Sequence, residues 1–182
     1  GGYAEGSRIG VHLPNCPQYL IAMLGILAAG AVYVPFNTMY RSEEMRYQAT
    51  DAGISVLVTL DAFADNVESW LGGTEVREVV VTSLNDEGSV DADVLASVIG
   101  NCDATRKSSW PDIMRSEPVA TVADDPDAVA AINYTGGTTG VSKGCIHTQR
   151  HMVHSALSSL ATRGHSGPAN CLTHVPLFWI LG

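Results

Sequence analysis

Short apolar runs alternate with amphipathic stretches through the first eighty residues, and this alternation limits the fold more than any other feature. Residues 8–14, Arg-Ile-Gly-Val-His-Leu-Pro, read as a strand. Asn15 is the expected N-cap of the next helix, with Pro17 in its first turn and Gly30 after its end. A second strand covers 31–36. Ser42, Glu43 and Glu44 open a second helix that carries Met45 and Ala49 inward and stops at Gly53. A strand over 54–60, a short helix over 63–71 broken by Gly72-Gly73, and a strand over 76–82 complete the series. Strand and helix in strict turn imply a mostly parallel sheet with crossover helices. Apolar strands such as Val79-Val-Val81 suit a sheet covered on both faces.

The pattern changes after residue 84. Residues 85–127 are rich in Asp, Ser, Asn and Pro, and read as an irregular excursion with one short helix over 91–99. Asp124, Asp125 and Asp127, interrupted by Pro126, suit a solvated turn better than a calcium loop. A strand is expected over 128–134, extended structure over 144–147, a helix over 149–162 and a strand over 170–178. Three segments follow: 1–84, alternating β/α; 85–127, the excursion; and 128–182, which carries the glycine-rich loop described next.

That loop is Tyr134-Thr-Gly-Gly-Thr-Thr-Gly-Val-Ser-Lys-Gly144. Its glycines let backbone N–H groups converge on one concavity and let a ligand come close. Thr135, Thr138 and Thr139 add hydroxyls, and Lys143 adds a mobile positive charge. These are the parts needed to hold a polyphosphate. A bare hairpin tip would explain Gly136-Gly137 but not the threonines and the lysine. Two other phosphate motifs fail. A Walker A loop needs Gly-Lys before Ser or Thr, whereas Lys143 stands between Ser142 and Gly144. The dinucleotide pattern Gly-x-Gly-x-x-Gly has no match there.

The loop resembles the Tyr-Thr-Ser-Gly-Thr-Thr-Gly-x-Pro-Lys-Gly motif of the adenylate-forming (AMP-binding) superfamily, and its fatty-acyl-CoA synthetases in particular. Gly136 replaces the commonest Ser, and Ser142 replaces the commonest Pro, which is expected to loosen the loop by releasing a fixed φ. The flanks are collinear with the family: Val11-His-Leu-Pro-Asn15, the run from Leu24 to Asn37, Met39-Tyr-Arg-Ser-Glu-Glu-Met45 with Asp51-Ala-Gly53, and His174-Val-Pro-Leu-Phe-Trp179. In the last of these Trp179 replaces the usual His, near the acyl and nucleotide pocket of the family.

The resemblance implies the large N-terminal domain of the adenylate-forming fold, a mostly parallel sheet with flanking helices. It also implies a two-step reaction, in which a carboxylate and ATP give an acyl-adenylate and coenzyme A then gives a thioester. On it, Thr135, Gly136, Gly137, Thr138, Thr139, Gly140 and Lys143 bind the ATP phosphates, with Lys143 catalytic. Thr135 approaches Mg²⁺ through the phosphates, and Trp179 lines the substrate pocket. The cofactors and co-substrates implied are ATP, Mg²⁺ and coenzyme A, with a fatty or related carboxylic acid as substrate. Another adenylate-former, an aryl-acid ligase or a peptide-synthetase adenylation domain, remains open, as does a non-catalytic phosphate-binding remnant. The family's adenine-binding motifs and C-terminal domain would lie beyond residue 182, so the chain is expected to be a fragment that cannot complete adenylation alone.

Composition narrows the remaining classes. A formal net charge of −9 disfavours a nucleic-acid partner but leaves room for a nucleotide held by local donors. The cysteines at 16, 102, 145 and 171 form no C-x-x-C pair and read as free thiols of a reducing compartment, which with the lack of a signal peptide suggests the cytoplasm. From Ile9 to Tyr40 no charged residue occurs, but a helix stopping near Ala29 would be only about 20 Å long, too short to span a bilayer. His147, His151 and His154 lack an evident further zinc ligand and read as helix-end histidines. A homodimer is compatible with the resemblance.

Overall fold

The computed structural model describes residues 5–85, 90, 93, 106–117, 125–136, 140–164, 167, 170 and 172–179. Strand β1 (Arg8–His12) leads through helix α1 (Pro17–Ala28) to β2 (Val32–Pro35). Helix α2 (Ser42–Ala52) leads on to β3 (Val56–Leu60). A single 3₁₀ turn (Asp61–Phe63) and α3 (Ala64–Leu71) then lead to β4 (Glu78–Thr82). Next come β5 (Arg106–Ser109), α4 (Trp110–Met114), β6 (Val129–Thr135), β7 (Lys143–Thr148) and α5 (Gln149–Arg163).

Among the described residues seven strands form one sheet, in the order β5-β4-β3-β1-β2-β6-β7. Every pairing is parallel except β6 with β7. Sheet growth reverses at β1: the chain first steps to β2 on one side, then crosses back to β3 on the other. Such a reversal puts helices on both faces and opens a crevice at the carboxyl ends of the strands.

Two cores result. Val34, Phe36, Met45, Leu57, Trp70 and Val79 fill the face under α2 and α3. Val11, Tyr19, Ile26, Tyr33, Val58 and Val80 fill the face under α1. Successive residues of β3 and β4 point to opposite cores, so all five positions of each strand are buried. Among the described residues no helix is long and apolar enough to cross a membrane.

Three expectations change, and a fourth falls outside the described residues. The excursion carries a fifth parallel strand, β5, paired with β4 from Glu78↔Arg106 to Val81↔Ser109. Its sequence, Arg-Lys-Ser-Ser, has no apolar signal. It joins the sheet because Ser108 donates from Oγ to the buried Glu78 carboxylate at 2.5 Å, with Arg106 3.7 Å from the same oxygen. The described residues of 170–179 form turns rather than a strand, with a Trp179 N–H to Pro176 carbonyl bond of 3.1 Å. Pro176 lacks the N–H that a ladder would need. Cys16, not Asn15, is the N-cap residue of α1, and no side chain caps it. The helix expected over 91–99 lies outside the described residues, Asp93 excepted, as do Cys102, Asp124 and Cys171. Asp125 and Asp127 do form a turn: Asp127 N–H donates to the Asp125 carboxylate at 2.9 Å, and Arg150 pairs with Asp127 at 3.1 Å. Cys16 and Cys145 are free thiols.

Candidate functional site

The glycine- and threonine-rich loop joins β6 to β7, the sheet's antiparallel pair, so it is the tip of a hairpin at one edge. Thr135 and Lys143 form the last paired positions, and Lys143 is exposed at the start of β7. Gly140 takes a φ of +108°, which L side chains rarely adopt. Gly144 lies opposite Tyr134, and a Cβ there would come within 2.8 Å of Ile132 Cγ2 and 3.1 Å of the Tyr134 ring. The final glycine of the motif thus seats the tyrosine that opens it. Gly137, Thr138 and Thr139 lie outside the described residues.

Ser142, standing where proline is commonest, makes a bond that proline could not. Its Oγ donates to the Thr135 carbonyl at 2.8 Å, closing the base of the turn from one strand to the other. Helix α2 grips the loop from outside. Tyr47 donates its phenol to the Ser142 carbonyl at 2.9 Å, and Tyr134 donates its own to the Asp51 carboxylate. Tyr47 and Asp51 are four residues apart and share one helix face, so a single turn of α2 holds both ends of the loop. Burial, then the hydrogen bond and charge of Asp51, push the Tyr134 phenol well above its ordinary range, so it stays a proton donor.

Two clefts flank the loop. One, of about 390 Å³, runs between α2 and the loop, past Glu43, Tyr47, Gly140, Val141 and Ser142. The other, of about 430 Å³, has Thr135, Gly136, Tyr134, Gln48 and Trp179 in its walls. A third, larger cleft of about 730 Å³ lies between α5 and the 172–179 segment, beside His147, Met152 and Leu172. Trp179 also lines this one. It is 47% exposed, so it is a cleft residue rather than a core aromatic.

The histidines divide their work. The Thr148 N–H donates to His151 Nδ1 at 3.2 Å and Thr148 Oγ1 accepts from the His151 N–H at 3.4 Å, a reciprocal cap on α5. His147 sits beside it with ring centroids 6.4 Å apart, and its Nε2 is buried without a partner among the described residues. No three or more His, Cys, Asp or Glu side chains are placed to hold a metal among the described residues. A hydroxyl of the kind Thr135 offers suits a Mg²⁺ ion that arrives on phosphates and keeps most of its waters.

Residues 1–182 match the model of the AMP-binding enzyme family throughout. The chain belongs to that family. It is 31% identical to a long-chain-fatty-acid–CoA ligase of Escherichia coli O157:H7 over 98% of this chain and 34% of the relative. It is 28% identical to the same-named protein of Bacillus subtilis over all of this chain and 35% of that one. Among solved structures, a long-chain-fatty-acid–CoA ligase from Archaeoglobus fulgidus superposes with a TM-score of 0.71 at 27% identity, over 98% of this chain and 32% of that one. The chain thus spans about a third of the length of the curated relatives it matches. The AMP-binding family uses ATP; of the loop residues singled out from the sequence, Thr135, Gly136, Gly140 and Lys143 are among those the structure describes. Sequence reasoning missed the roles of Tyr47, Asp51 and Asn15, because each bonds to a segment 83 to 162 residues away.

Proposed function

We propose that the intact protein is an ATP-dependent acid–CoA ligase acting on fatty or related apolar carboxylic acids. The supporting observation is a phosphate-type loop closed by Ser142, gripped at both ends by α2, and opening on a cleft walled by Trp179. The long-chain-fatty-acid–CoA ligases among the relatives supply the substrate class.

In the first half-reaction a carboxylate oxygen attacks the α-phosphorus of ATP and pyrophosphate leaves. Thr135, Gly136 and Gly140, with Gly137, Thr138 and Thr139, cradle the β- and γ-phosphates. Lys143 offsets the charge that grows on the departing pyrophosphate, the kind of stabilisation that carries most of such catalysis. Mg²⁺ on the phosphates would supply further charge neutralisation, with Thr135 a residue that would help to hold it. In the second half-reaction the thiol sulfur of coenzyme A attacks the acyl carbon and AMP leaves. On this reading the enzyme works in the cytoplasm, where ATP and coenzyme A are available.

Acid-dependent exchange of labelled pyrophosphate into ATP tests the proposal. Lys143→Ala in the intact protein should cost about 1.5–3 kcal/mol of phosphate interaction, roughly ten- to hundredfold in rate or ATP affinity. Unchanged affinity and rate would remove Lys143 from the site. A 4-coumarate–CoA ligase of Pinus taeda, 28% identical over 85% of this chain, favours a second reading with an aryl acid as substrate. A panel of fatty and aryl acids in the same assay separates the two. Absence of exchange with every acid, together with no thermal stabilisation by ATP and Mg²⁺, would leave a non-catalytic remnant.

A further inference from the structure

Asn15 lies three residues beyond β1, at the point where sheet growth reverses, and its carboxamide reaches across the fold. Its Nδ2 donates to the Val175 carbonyl at 2.9 Å, and its Oδ1 accepts from the Leu177 N–H at 2.7 Å. A primary amide offers a donor and an acceptor in one plane. It can therefore satisfy the carbonyl of one residue and the N–H two residues on, as a neighbouring strand would. Among the described residues no strand pairs with 172–179, and Asn15 provides a strand-like pairing there.

The rest of the segment is fixed from that clamp. Leu177 and Phe178 pack against the core under α1, and the turn from Pro176 to Trp179 closes with a 3.1 Å backbone bond. The Phe178 and Trp179 rings meet edge to face, with centroids 6.3 Å apart. Trp179 is thereby left half exposed, and among the described residues it is the one common to the linings of the 430 Å³ loop cleft and the 730 Å³ cleft beside α5.

We infer that Asn15 is a positioning residue: by clamping Val175 and Leu177 it sets where Trp179 stands as the partition between these clefts, and so how much of a substrate's carbon chain can pass from the loop into the larger space. This rests on the reading of the loop cleft as the site where the carboxylate is activated. The bonds are exposed to water, so each contributes little alone. Together they shift the docked population of the segment by about tenfold. That suffices to place one indole without holding the fold together.

The test uses the intact protein with Asn15→Leu and Asn15→Asp. Asn15→Leu removes both bonds. Backbone hydrogen exchange at Leu177 should accelerate about tenfold, while Val11 in β1 keeps its rate. The ranking of kcat/KM across carboxylic acids of increasing chain length should change, with KM for ATP within about twofold of wild type. Asn15→Asp keeps an acceptor for Leu177 and loses the donor to Val175. It should protect the Leu177 amide and give an intermediate chain-length ranking. The inference is overturned if Leu177 exchange is unchanged in Asn15→Leu. It is equally overturned if activity falls uniformly for all acids together with ATP affinity, which is the mark of general destabilisation. If no acid supports activity in the wild type, the functional reading fails, yet Leu177 exchange still decides the clamp.

Discussion

At the scale of single residues, His12 has the clearest consequence. It closes β1 with no exposed surface, its Nδ1 3.2 Å from Thr59 Oγ1 and its ring 4.6 Å from that of Phe63. Burial lowers its pKa from 6.5 to about 4. The folded protein therefore holds this ring neutral while the unfolded chain takes up a proton near pH 6.5. Stability attributable to His12 is complete above pH 6.5, falls as pH drops, and stops changing below about 4. A shift from 6.5 to about 4 corresponds to about 3 kcal/mol in total, of which about 2 kcal/mol is lost by pH 5. Urea midpoints at pH 7 and pH 5 measure it. His12→Gln should lose markedly less between these two pH values than the wild type. Equal losses would show that the ring titrates freely in the fold.

At the scale of elements, the hairpin and α2 work as one unit. Tyr47 and Asp51 project from one face of α2 to Ser142 and Tyr134, so the loop is held at both ends by a helix that is itself packed on the sheet through Met45 and Ala49. Tyr47→Phe removes one donor at an exposed position. It should cost about 0.5–1.5 kcal/mol. That should appear as a KM for ATP raised about three- to tenfold, with little change in KM for the acid or in Tm. Asp51→Asn, which keeps an acceptor for Tyr134, should be milder than Asp51→Leu. A change in acid KM alone would disconnect α2 from the phosphates. Legibility also divides by element. Strands β1 to β4 could be read because burial on both faces forces apolar runs such as Val79-Val-Val81. The loop's family could be read because its glycines, hydroxyls and lysine fall in one short run that resembles the motif of the family whose model the chain matches. Strand β5 could not, because its place depends on Ser108 meeting a glutamate thirty residues earlier. Asn15 could not either: an Asn before a proline-led helix reads as a cap, and only the fold shows its amide turned toward Val175 and Leu177.

At the scale of the whole molecule, two apolar surfaces stand open. On α1, one face packs inward through Tyr19, Ala22 and Ile26, while Leu20, Ile21 and Leu24 are 44%, 45% and 60% exposed. On α5 no residue is buried, and Val153, Leu157 and Leu160 are 57%, 60% and 56% exposed along one stripe at helical spacing. Contiguous exposed apolar surface of this kind drives association in water. The 182-residue chain by itself should therefore self-associate as its concentration rises, despite a formal net charge of −9 that opposes contact between copies. Replacing Leu157 and Leu160 together by Lys brings the net charge from −9 to −7, since each Lys adds one positive charge. Electrostatics alone would then predict equal or greater association. If the apolar stripe is the cause, the double variant should instead shift sedimentation velocity profiles toward the monomer at the same concentrations, with Tm preserved because neither leucine contributes to the core. A wild-type chain that stays monomeric throughout, or a double variant that associates more strongly, would show that α5 is not the sticky surface.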